Sequence, residues 1–141
     1  MADHLVFLAC GVLVRVPDNG AEALALIESV ETLFDPRWVC PFCPTGYYVA
    51  AAMVCANAGQ LARARDFLAR AEFGAARWPA GPWPAALAEA RALLLLADGD
   101  QRGAAAALRR AAEGYAANGQ SLNERRAREA LAQLPVPDVT A

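Results

Sequence analysis

The sequence predicts an all-α protein, an α-solenoid of three stacked helix hairpins with a period of about 40 residues, closed by a C-terminal capping helix. Three observations carry this expectation. Thirty-five of the 141 residues are alanine, the strongest helix former, and strand-like alternation is scarce. Apolar residues recur at helical spacing in successive segments. The chain also echoes itself: residues 37–44, Arg-Trp-Val-Cys-Pro-Phe-Cys-Pro, return 40 residues later at 77–84 as Arg-Trp-Pro-Ala-Gly-Pro-Trp-Pro. Arg37, Trp38 and Pro44 align with Arg77, Trp78 and Pro84, so these stretches read as joints between repeated units.

A hydrophobic content of 57% with 20% charged residues excludes a disordered chain, and 141 residues suffice for a buried core. One domain is expected over 1–134, with repeats at about 2–36, 43–77 and 83–118, a capping helix at 121–134 and a tail at 135–141.

Residues 2–16 are apolar almost all round. Val6, Val12, Val14 and Val16 would also suit a strand, but the repeat register favours a helix buried on several sides. Pro17-Asp18-Asn19-Gly20 reads as a turn. Residues 20–34 form an amphipathic helix, with Leu24, Ile27, Val30 and Phe34 inside and Glu22, Glu28 and Glu31 outside. A third helix, 45–58, runs through Tyr47, Tyr48, Ala51, Ala52 and Cys55 to a corner at Ala58-Gly59-Gln60. The fourth, 61–76, buries Leu61, Ala64, Phe67, Leu68 and Ala71, and turns Arg63, Arg65, Asp66 and Arg70 to solvent. The fifth spans 84–97, with a corner at Asp98-Gly99-Asp100; the sixth spans 101–117 and ends on Asn118-Gly119. Ser121-Leu122-Asn123-Glu124 reads as a capping box that opens a seventh helix through Leu134, stopped by Pro135 and Pro137.

The second and third units superimpose at an offset of 40, which matches Gly59 with Gly99, Ala64 with Ala104, Leu68 with Leu108 and Ala71 with Ala111. At an offset of 41 the first unit places Ala23, Ile27 and Val30 on Ala64, Leu68 and Ala71, and Gly11 on Ala52. Small residues let two helix backbones approach, and the large residue fills the space beside them. This pattern resembles the tetratricopeptide repeat, over about residues 4–117: the small residue of the first helix (Gly11, Ala52, Ala92), the inter-helix glycine (Gly59, Gly99), and a small–large–small stripe on the second helix. The period exceeds the usual 34, and the aromatic positions of the first helix are kept only in part, as Phe7 and Tyr48. In these departures the chain is similar to the C-terminal repeat region of large LuxR-type bacterial regulators. That resemblance implies a bacterial, cytoplasmic sensing or protein-contact module linked to transcription regulation, with no ATPase or DNA-reading part.

Carried over residue by residue, the family's groove positions are Leu5, Leu8, Val12 and Arg15 in the first unit, Val49, Met53 and Asn57 in the second, and Glu89, Leu93 and Leu96 in the third. The resemblance implies that they line a concave, mostly apolar wall. Such a wall suits a protein or peptide partner, an apolar ligand, a neighbouring domain or a second copy, and a homodimer is expected.

Cys40-Pro-Phe-Cys43 has both metal-knuckle and dithiol spacing. Zinc needs about four ligands; the repeat register sets His4 level with Thr45, so Cys40, Cys43 and His4, with Cys10 or water, form one candidate set. The motif also resembles the CPxC of glutaredoxins, in which it caps a helix after a strand, but no βαβ unit is visible here. A structural role for the thiols is the third reading, with Cys10 and Cys55 as small buried apolar groups.

No enzyme is expected and no cofactor required. The chain has no lysine, one histidine and few aliphatic hydroxyls (Ser29, Ser121, Thr32, Thr45, Thr140), so no base–nucleophile set assembles. Residues 1–36 carry one arginine against six acids, whereas 37–141 carry twelve arginines against nine acids. Arg125, Arg126 and Arg128 read as a solvated face rather than a nucleic-acid contact. Trp38 and Trp78 read as wedges between hairpins. Residues 5–16 have the length of a signal-peptide core, but no positive charge precedes them and Arg15 interrupts the run, so neither secretion nor a membrane association is expected.

Overall fold

The computed structural model describes residues 2–15, 19–33, 40, 42–78 and 80–135, the side chains of residues 2–4 excepted. Phe34, Arg37, Trp38, most of the predicted turn before Asn19, the His4 side chain and residues 136–141 of the tail lie outside the described residues.

All regular structure among these residues is helical: α1 Ala2–Leu13, α2 Gly20–Leu33, α3 Thr45–Asn57, α4 Leu61–Ala75, α5 Trp83–Ala97, α6 Gln101–Ala117 and α7 Ser121–Ala132. Contacts divide the chain into two units, Met1–Trp78 and Pro79–Ala141, and the division falls inside the second joint.

The corners follow from glycine. Gly59, Gly99 and Gly119 have φ of 74°, 80° and 69°, the left-handed region that a Cβ disfavours. Each lets two orphan carbonyls at a helix end find donors. The amide of the residue after the glycine bonds back to Cys55, Leu95 and Tyr115 at 2.8, 2.8 and 2.9 Å, and the glycine amide bonds to Ala56, Leu96 and Ala116. The following helix starts at once. Asp100 caps it through a bond from the Gly103 amide at 2.8 Å. Gln60 and Gln120 stand in the same place and instead accept from the Arg63 and Asn123 side chains. Ser121 is therefore the first helical residue, not the cap, and the predicted capping box does not form.

In the first unit α3 is the centre. The helices α1, α2 and α4 all pack on it, and α1 and α2 each pack more on α3 than on one another among the described residues. Tyr47 explains much of this. Its ring lies 5.9 Å from Phe7 of α1 and 6.0 Å from Phe67 of α4, and its hydroxyl donates to the Ile27 carbonyl of α2 at 3.4 Å. Gly11 brings α1 close: a Cβ there would stand 3.1 Å from the Tyr47 nitrogen and 3.2 Å from the Gly46 carbonyl carbon. Arg63 of α4 reaches α2, 2.6 Å from Glu31 and 3.8 Å from Glu28.

The helix buried nearly all round is thus α3, which hides Tyr47, Val49, Ala50, Ala51, Ala52, Met53 and Cys55. The segment expected to be buried on several sides, α1, buries Phe7 and, just past its end, Val14, while Leu5, Val6, Leu8, Val12 and Leu13 are exposed.

In the second unit α5, α6 and α7 pack in chain order. Ala85, Ala88, Ala111, Ala112, Tyr115 and Ala127 form one cluster. Ala92, Ala107 and Leu108 form another, flanked by Leu95, Ala130, Leu131 and Leu134. A Cβ on Gly114 would lie 2.8 Å from that of Ala85, so α5 and α6 meet at a distance only glycine allows. The Tyr115 hydroxyl donates to the Glu89 carboxylate at 2.5 Å.

Candidate functional site

Two features of the first unit are unusual for surfaces, the outer face of α1 and the turn that carries Cys40 and Cys43.

The outer face of α1 follows from helical spacing. Phe7 and Gly11, with Val14 beyond the helix end, fall on the side packed against the unit. Leu5, Leu8 and Val12 fall opposite, flanked by Val6, Ala9 and Leu13. Leu5 and Val12 are 64% and 65% exposed, as open as polar surface residues, and no charged group interrupts the stripe. Soluble folds seldom leave such a strip uncovered.

Of the other predicted wall residues, Arg15 is half-buried, and one of its terminal guanidinium nitrogens is buried without a hydrogen-bond partner among the described residues. Val49 and Met53 lie in the core around α3, and Asn57 is exposed at the end of that helix. Glu89 is held by Tyr115, and Leu93 and Leu96 are half-buried in the second unit. The structure thus brings Leu5, Leu8 and Val12 together on one open stripe. Periodicity could not choose between the two faces of α1, because both are apolar.

The cysteine turn is built from its neighbours. Thr45 is buried at the first position of α3, and its hydroxyl and its amide both donate to the Phe42 carbonyl, at 2.7 and 3.3 Å. Pro44 is the N-cap residue of α3 and is fully buried. The Phe42 ring stacks on Phe73 at 5.8 Å with an interplanar angle of 16°, meets Trp78 edge-on at 6.0 Å, and carries the Arg77 guanidinium 4.9 Å from its centre. On this anchored turn Cys40 is exposed and Cys43 half-buried. The Cys43 thiol donates to the Cys40 sulfur, and the backbone amides of Phe42 and Cys43 point at it as well, so the Cys40 thiol is held below the usual thiol range. The other two cysteines behave oppositely. Burial pushes the Cys10 and Cys55 thiols up, and Cys55 has no exposed surface.

For the metal candidates, the structure brings Cys40 and Cys43 together, and the His4 side chain lies outside the described residues. Among the described residues no group of three or more His, Cys, Asp or Glu is placed to hold a metal ion. Two of the three arginines of α7 have acid partners on their own helix, Arg128 with Glu124 at 2.8 Å and Arg125 with Glu129 at 3.7 Å. Among the described residues no helix is long and apolar enough to cross a membrane.

No family model matches the chain, and the search of curated proteins and of solved structures finds no match.

Proposed function

We propose that the chain is a non-enzymatic binding module, built from tetratricopeptide-like helix hairpins, whose docking surface is the outer stripe of α1. The exposed, uncharged run Leu5, Leu8, Val12 carries this reading. The hairpins α3–α4 and α5–α6 support its repeat character. They share the glycine corner and the buried stripe Ala64, Leu68, Ala71 and Ala104, Leu108, Ala111. On the resemblance to LuxR-type regulators, the module serves a bacterial transcription regulator as a sensor or scaffold in the cytoplasm.

The occupant of the stripe is a second copy of this chain. A strip with no charge offers nothing for an ionic partner to complement, whereas an apolar helix face is complementary to itself across a twofold axis. Native mass spectrometry over a concentration series tests this. A dimer is expected, and Leu8→Asp with Val12→Asp should weaken it at least about tenfold, since each buries a charge in the interface. Both side chains point outward, so helix content should be unchanged. A chain that stays monomeric at high concentration, or a dimer indifferent to both substitutions, would overturn the proposal.

A further inference from the structure

We propose that Cys40 and Cys43 form a dithiol–disulfide exchange site for small-molecule disulfides, in which Cys40 attacks and Cys43 resolves. Three observations place the roles. Cys40 is the exposed member, and the Cys43 thiol and two backbone amides converge on its sulfur, which favours the thiolate that does the attacking. Cys43 is half-buried and already within hydrogen-bond reach of Cys40, where a resolving thiol must stand. Phe42, next to Cys43, is held by the two Thr45 bonds to its carbonyl and by the rings packed on it, so the resolving thiol stands beside an anchored residue. The remaining cysteines, one half-buried and one fully buried, have raised thiols and lack this access.

The exchange balances without any further reactant. The Cys40 thiolate attacks one sulfur of a disulfide RSSR; the S–S bond breaks, and RS⁻ leaves and takes a proton from water. Cys43 gives up its proton and attacks the Cys40 sulfur of the mixed disulfide, which releases the second RS⁻. Two electrons and two protons pass from the pair to the small molecule, giving an internal Cys40–Cys43 disulfide and two RSH. Run backward with excess RSH, the same steps restore the dithiol. The site goes beyond the docking role of α1 and does not depend on it.

The test uses bis(2-hydroxyethyl) disulfide as the probe, followed by alkylation and peptide mass spectrometry. The native chain should lose two hydrogens on the peptide that contains both cysteines, with Cys10 and Cys55 still alkylated. Cys43→Ser should halt at a single mixed disulfide on Cys40. Cys40→Ser should slow the reaction at least about tenfold, the margin expected of a thiolate over ordinary thiols near neutral pH. In Cys43→Ser the rate at Cys40 should still persist at lower pH than that of an unfolded peptide of the same sequence, because two amide donors remain. Circular dichroism checks that both variants stay helical. An adduct that forms equally on Cys43, a Cys43→Ser chain that traps nothing, or reaction mainly at Cys10 or Cys55 would sink the proposal.

Discussion

The two joints echo each other in sequence and differ in structure. Aligned at the offset of 40, Cys43 falls on Trp83, Pro44 on Pro84 and Thr45 on Ala85. In the second joint Pro82 is the N-cap, Trp83 opens α5, and Pro84 sits inside the first turn, where its missing amide costs nothing. In the first joint the helix waits until Thr45, and Pro44 is the cap. Two positions that are helix in one joint are turn in the other. The residue that separates them is the hydroxyl-bearing one. Thr45 holds the Phe42 carbonyl and closes the turn, whereas Ala85 has no hydroxyl and lies against Gly114 instead. The amides of Phe42 and Cys43 point at Cys40, whereas the second joint has Pro82, which carries no amide hydrogen, in place of Phe42. The first joint thus holds both cysteines and an amide that the second joint lacks.

Three substitutions probe this contrast. The largest effect belongs to the packed side. Gly114→Leu forces a side chain into Ala85 and should cost about 3 kcal/mol, read as a lower urea midpoint, with Cys40 reactivity unchanged. Thr45→Ala makes the first joint resemble the second. It should cost about 1 kcal/mol and, more tellingly, move the pH midpoint of Cys40 alkylation up toward the ordinary thiol range. An unmoved midpoint would mean that the turn holds without its threonine.

The smallest effect at neutral pH is that of Tyr47→Phe. Tyr47 aligns with Leu87, and burial, then the nearby Glu31 charge, pushes its phenol above the usual range. A raised pKa in the folded chain means that its contribution is complete below the unfolded phenol value, about 10, and is lost as pH rises beyond it. Alkali should therefore loosen the first unit, and Tyr47→Phe should shift that loss of helicity to higher pH. Circular dichroism along a base titration measures both chains.

Much of the fold was legible because its punctuation is chemical. Gly59, Gly99 and Gly119 mark their corners by needing positive φ, and helix ends read from them agree with the structure to within a few residues. What was hidden depended on choices between equivalents. Both faces of α1 are apolar, so Phe7 and Val14 rather than Leu5 and Val12 go inward for reasons that lie on α3, at Tyr47 and Gly46. The supposed cap at Ser121 failed because the corner at Gly119 ties the Gln120 amide back to Tyr115, and the helix can begin only after that bond is made. The closeness of Cys40 and Cys43 was readable from spacing. Which of them is exposed, and which amides point at Cys40, was not, since neither follows from spacing.

The glycine corners have a further consequence, in time rather than in space. In the second unit each helix packs on the one just before it, α6 on α5 and α7 on α6, through corners that close over a few residues. In the first unit α1 must find α3 across the whole of α2. Folding speed falls as contacts span more chain, so the C-terminal unit should reach its native packing first. The N-terminal unit, expected to form later, is the one that carries the apolar stripe of α1 and the cysteine turn.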